Sequence, residues 1–178
     1  IAEIMRAVVE ARTAGARVVG LIGGRAGCYG GGGLIAACCS ALAISEQGRL
    51  AVSGPEVIET NRGVEEFDSR DRALVWRTMG GKHRRLLGGA DAFCGDTVQD
   101  FRATALELLR PASTFGISVL RAEQDRLEDR LARFGECSDA VDIWTAMGVP
   151  DAVAIPAMSS DQYISLAEKL GETCRDAR

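Results

Sequence analysis

The chain has 178 residues, 47% apolar and 26% charged, with a formal net charge of −4. That is enough length and apolar content for one compact domain with a real core. The acidic balance argues against a general nucleic-acid surface, and no apolar run reaches the roughly 18 residues of a membrane span, so a cytoplasmic location is expected.

The chain opens on Ile1-Ala2-Glu3-Ile4-Met5. This is already helical periodicity, without an initiating methionine or an N-cap residue, as expected of a piece whose upstream structure lies elsewhere. Residues 2–14 read as a helix packed on one face, stopped by Gly15. Residues 17–22 are short, apolar and β-branched, a buried strand. Then comes the densest feature of the sequence, Gly23-Gly24-Arg25-Ala26-Gly27-Cys28-Tyr29-Gly30-Gly31-Gly32-Gly33, in which seven of eleven residues are glycine. A strand feeding a loop without side chains that empties into a helix gathers unpaired N–H groups, a place for an oxyanion or a phosphate.

Residues 34–44 are apolar nearly throughout and predict a central helix. Residues 49–52 predict a second strand, and 55–59 a short helix with Pro55 at its start and Glu56 in its first turn. Helices are expected over 73–79, 82–88, 97–110, 118–134, 139–147 and 161–170, with an edge strand at 92–94 and Pro111 limiting the helix before it. Leu120, Leu127 and Leu131 form the apolar stripe of the long helix, its charges a solvated face. Alternating strands and helices give an α/β class with more helix than strand.

The six cysteines, at 28, 38, 39, 94, 137 and 174, lack CxxC spacing, and the chain has one histidine. No metal site is expected, and reduced thiols suit a reducing compartment. Gly81-Lys82-His83 fails the Walker A requirement, and a dinucleotide fingerprint on Gly31-x-Gly33-x-x-Ala36 lacks an acid after the next strand. An oxyanion hole needs no side-chain nucleophile: an N–H from Tyr29, Gly30 or Gly31 stabilises the enolate formed when CO2 leaves a malonyl thioester. Equally, the glycines can serve only to let a helix pack on a sheet.

Residues 23–31, then Gly54-Pro55-Glu56-Val57-Ile58-Glu59, then residues 63–72 around Phe67-Asp68-Ser69-Arg70, resemble the β subunit of biotin-independent malonate decarboxylase. That subunit lies in the acyl-CoA carboxyltransferase branch of the crotonase (ClpP/crotonase) fold. The resemblance covers about residues 1–110, and the Gly-Pro-x-Val-Ile-Glu element is shared with the carboxyltransferase subunits of acetyl-CoA carboxylase. It implies that residues 1–178 are a carboxyltransferase-like domain lacking its N-terminal part, with 111–178 a helical C-terminal region.

It further implies a γ-type partner subunit, a malonyl thioester carried on an acyl carrier protein, and a phosphoribosyl-dephospho-CoA arm on that carrier, with no cofactor bound by this chain. One oxyanion donor would come from a loop absent from this sequence and the other from Tyr29, Gly30 or Gly31. Arg25, Cys28, Glu56 and Glu59 are the substrate-binding candidates. Each has a plainer role: Arg25 pairing with a local acid, Cys28 packing, Glu56 and Glu59 compensating a helix dipole. His83, between Lys82 and Arg84-Arg85, reads as part of a solvated basic helix face, and Trp76 and Trp144 as core or subunit interface. The alternatives are a biotin-dependent acyl-CoA carboxyltransferase subunit and a non-catalytic crotonase-like scaffold.

Overall fold

The computed structural model describes residues 1–110 and 114–176. Three parallel strands, β1 (Val19–Ile22), β2 (Ala41–Ser45) and β3 (Ala92–Cys94), lie in the order β1-β2-β3, with Val19 beside Ala41 and Ser45 beside Cys94. Helices α1 (Ala2–Thr13), α2 (Gly31–Ala37), α3 (Pro55–Arg62), α4 (Arg72–Met79) and α5 (Gly81–Leu86) come before β3. After it come α6 (Val98–Leu108), α7 (Ile117–Phe134), α8 (Ala140–Ala146), a 3-10 helix (Ala152–Ala157) and α9 (Ser160–Asp176). Pro111 and the side chain of Cys174 lie outside the described residues; the other five cysteines are unpaired. Among the described residues no helix is long and apolar enough to cross a membrane.

The expected central helix over 34–44 is a correction. Helix α2 ends at Ala37, and the second half of the run is the central strand, every residue of which is buried. A strand buried on both faces is as uniformly apolar as a buried helix, so periodicity cannot separate them. The break falls at Ser40, the single polar residue of the run. Its N–H donates to Val18 O at 2.7 Å and its Oγ accepts the Val18 N–H at 3.0 Å, which pins the chain beside the entry to β1. The expected strand at 49–52 does not join the sheet either: Arg49 and Leu50 make only isolated bridges, to Gly80 and to Cys28. Residues 92–94 do form an edge strand.

The main core joins the sheet to the C-terminal helices. Ile22, Ile44 and Phe93 pack with Trp144, Ile155 and Tyr163, and the Phe93 and Tyr163 rings meet edge-on at 4.6 Å. A smaller cluster of Phe67, Val75 and Met79 holds α4 against the Tyr29 ring. Helix α1 packs on one face as expected, with Met5, Val8, Ala11 and Arg12 half-buried and Arg12 Nη1 donating to Cys38 O at 2.7 Å. Helix α7 departs from its expected packing: Leu120 and Leu131 of its apolar stripe are exposed and Leu127 is half-buried, while Arg126 and Arg130 turn inward to the Leu87 carbonyl.

The basic run is the other correction. Lys82 and His83 are buried rather than solvated. Lys82 Nζ pairs with Glu46 Oε1 at 3.1 Å and donates to the Met158 and Pro156 carbonyls at 2.7 and 3.2 Å. The Tyr163 hydroxyl donates to Lys82 O at 2.6 Å. These bonds let a cation sit inside, because each proton of the ammonium finds an oxygen.

Candidate oxyanion loop

The glycine loop leaves β1 at Gly23 and enters α2 at Gly31, as its position between a strand and a helix predicts. Its second half lies alongside residues 49–52: Cys28 N–H donates to Arg49 O at 2.7 Å, Ala51 N–H to Cys28 O at 3.2 Å, and Gly30 N–H to Val52 O at 2.8 Å. The segment read as a second strand is therefore the seat of the loop. Two glycines are required there for different reasons. Gly30, the N-cap of α2, has φ 56° and ψ −126°, a conformation closed to L side chains by the backbone alone, since nothing lies within 4 Å of a Cβ built on it. Gly33 has an ordinary backbone, but its Cβ would lie 2.5 Å from Ala51 O, so a methyl group would push the loop off its seat.

The three donor candidates separate. Gly30 is removed from the set, because its N–H is already bonded to Val52 O. The N–H groups of Tyr29 and Gly31 have no acceptor among the described residues, and Gly31 is the first residue of α2, where the positive end of the helix dipole adds to its pull on an anion. The Ile1 side chain lies over the Gly31 Cα, on the face where a Cβ would stand. Two cavities lie elsewhere, one small and one open to solvent. One of about 40 Å³ is lined by Glu46, Trp76, Lys82 and Trp144, among others, and a wider one by Ala154, Met158 and Leu166. Neither borders the loop.

The side chains around the loop divide between structure and exposure. Tyr29 tucks its ring beneath Gly27 and beside Gly54, with its hydroxyl buried and unpartnered. Burial raises its pKa, and the Arg49 cation opposes that rise. Cys28 is half-buried and burial pushes its thiol pKa up, the reverse of an activated nucleophile. Arg25 is exposed at the tip and has no ion pair among the described residues, while its carbonyl accepts from Arg49 Nη2.

Glu56 is exposed in the first turn of α3, beside Gly54. Glu59 does not share its role. Its carboxylate accepts the Ser69 N–H at 2.8 Å, and bonds from Ser69 lower its pKa, so it ties the 63–72 loop to α3. His83 is held neutral, its pKa driven down to about 3 by burial and by the neighbouring Arg84 and Arg130 charges.

Arg49 escaped the sequence reading. Its guanidinium lies over the Trp76 ring at 4.6 Å and donates to Arg25 O, while its backbone carbonyl holds Cys28. A lone arginine opening the apolar run 49–52 was the available signal.

No protein-family model matches the chain. A curated relative, the malonyl-S-ACP:biotin-protein carboxyltransferase MADC of Malonomonas rubra, is 35% identical over 159 residues, 86% of this chain and 50% of the relative. Among solved structures, a chain of a Pseudomonas malonate decarboxylase hetero-tetramer in complex with malonate superposes with a TM-score of 0.68 at 33% identity, covering 82% of this chain and 52% of its own. A chain of the Pseudomonas malonate decarboxylase MdcD-MdcE hetero-dimer gives 0.56 at 31% identity, covering 76% and 52%. The chain spans about half the length of the relatives it matches. The resemblance read from the sequence and the crotonase-like α/β assignment both stand on these matches.

Proposed function

From this relationship to malonate decarboxylase subunits, we propose that the chain is the β-type, carboxyltransferase-like part of a malonate decarboxylase, acting on malonyl held as a thioester by an acyl carrier protein. The observation that carries the proposal is the pair of unpartnered N–H groups at Tyr29 and Gly31, in a loop fixed from both sides. When the bond to the malonyl carboxylate breaks, CO2 leaves and the electron pair moves into the enolate, whose charge gathers on the thioester oxygen. A donor at Gly31 stabilises that oxygen more than the ground-state carbonyl; proton delivery to carbon then yields the acetyl thioester. One such donor is worth about 3–4 kcal/mol, or 10²–10³ in rate.

Neither of the two cavities described above borders the loop, and in this reading the opposite wall of the site, and the second donor, belong to a γ-type subunit or to another part of the assembly. The Pseudomonas relatives crystallised as hetero-oligomers, which supports a partner subunit. The carrier's prosthetic arm arrives with the substrate. A second reading, favoured by the name of the Malonomonas relative, is transfer of the malonyl carboxyl group to a biotin protein through the same enolate.

The test is CO2 release by the complex reconstituted with a γ-type subunit and malonyl carrier protein, comparing Gly31→Pro with Gly31→Ala. Proline at the first helical position keeps the helix but deletes the N–H; alanine keeps the N–H and meets the same Ile1 contact. The proline variant is expected to lose 10²–10³ in kcat while the alanine variant retains most activity. Equal activity in both sinks the donor role. Loss of turnover on adding avidin selects the biotin reading.

A further inference from the structure

Helix α7 carries Ile117, Leu120, Gln124, Leu127, Leu131 and Phe134 at alternating spacings of three and four, the a and d positions of a heptad. The folded chain leaves much of this seam open: Ile117, Leu120 and Leu131 are 66%, 52% and 72% exposed. The helix is attached by a different face, through Arg126 and Arg130, which donate to Leu87 O at 3.4 and 2.8 Å. At 3.6 residues per turn that face lies roughly a quarter-turn round from Leu120 and Leu131. The side of the seam formed by Ile117, Leu120, Gln124 and Leu131 is thus available, Leu127 and Phe134 being half-buried, while the helix is already held in place, and the cost of ordering an isolated helix does not recur on association.

The flanking charges identify what fits. Arg121 and Glu128 border the solvent side of the seam, Glu123 and Arg130 the other. Parallel pairing of two copies of α7 sets Glu123 against Glu128 of the second copy, like against like. Antiparallel pairing sets Ile117 opposite Phe134, Leu120 opposite Leu131 and Gln124 opposite Leu127. It brings Arg121 to Glu128 on both sides of the two-fold axis, so this flank matches in sign; on the other flank Glu123 is already held by Arg126 at 2.5 Å and Arg130 by Leu87 O at 2.8 Å. Within one chain Arg121 has no ion pair among the described residues, and Glu128 accepts only the Gln124 amide, at 2.7 Å.

We propose that α7 is a self-association face, through which two copies of this chain pair antiparallel about a two-fold axis between residues 125 and 126. The interface is isologous and closes on itself. It is separate from the oxyanion loop and does not depend on the function assigned to that loop.

Sedimentation velocity across micromolar to hundreds of micromolar chain tests it, with thermal unfolding as a check on folding. The parent is expected to dimerise reversibly and Leu131→Glu to be monomeric with its fold intact. Arg121→Glu and Glu128→Arg, each of which turns two attractive pairs repulsive, are expected to weaken the dimer roughly tenfold. The double variant Arg121→Glu/Glu128→Arg restores the match of signs and should recover parental affinity. A parent that stays monomeric throughout, a dimer that survives Leu131→Glu, or a double variant no better than the single ones overturns the proposal.

Discussion

Replacing Gly30 by alanine isolates one physical quantity, the cost of a backbone conformation. The site holds φ 56° and ψ −126°, and nothing lies within 4 Å of the incoming methyl group, so no side chain is displaced. The whole penalty is torsional, about 1–3 kcal/mol. Stiffening of the unfolded chain opposes it by no more than ~1 kcal/mol and comes from the other side of the equilibrium. If the chain relaxes to escape the strain, the bond from Gly30 N–H to Val52 O at 2.8 Å is lost and the loop leaves its seat.

Gly32→Ala is the matched control. Gly32 lies two residues along in the first turn of α2, its Cβ would meet Cys28 Sγ at 3.4 Å, and helix propensity favours alanine by up to about 1 kcal/mol. Urea unfolding should therefore move the two variants in opposite directions, with the Gly30 variant melting a few degrees lower, at about 2–4 °C per kcal/mol for a domain of this size. A Gly30 variant as stable as the parent, or both variants falling together, would refute the claim that conformation makes this glycine necessary.

The remaining expectations concern residues around the loop and the core. His83 is the single histidine and is buried with a pKa near 3, so between pH 3 and 6.5 the unfolded chain binds a proton that the folded chain does not. Stability from this group is complete above pH 6.5 and falls as the pH drops, by about 1.4 kcal/mol between pH 7.5 and 5.5. Urea midpoints over that range should lose this slope in His83→Asn, and an unchanged slope would exclude His83 as its source. Lys82→Met leaves Glu46 and the Pro156 and Met158 carbonyls without their shared cation and should cost about 3 kcal/mol by the same measurement. Arg49→Lys keeps the charge but loses the planar stack on Trp76; faster amide exchange across residues 25–30, with the sheet still protected, is the expected signature, and uniform exchange counts against it.

The sequence disclosed the helices best, because caps announce their ends. Asp71, Thr97 and Asp139 each accept an N–H from the first turn of the helix they open. It failed where burial erased the pattern. Residues 41–45 are surrounded on every side, and a strand in that setting carries no alternation for the eye to find.

The basic run 82–85 misled for a related reason. Charge density suggests water, yet the acceptors that make Lys82 tolerable inside, Glu46 and two carbonyls beyond residue 155, are remote in sequence. At the loop, glycine spacing located the donors, but which amide is free depends on Val52 O, and a partner 22 residues away leaves no local mark.

The anchorage of Lys82 and Tyr163 bears on how this protein can be cut. A shortened version ending ahead of Pro156 would keep every loop residue but strip the lining from α5, and with it the neighbour that fixes Arg49 through Gly80. The terminal helices are in this respect the far wall of the sheet as well as scaffolding for a distant bend: trimming them takes Tyr163 from Phe93, and the strands and the bend should loosen together.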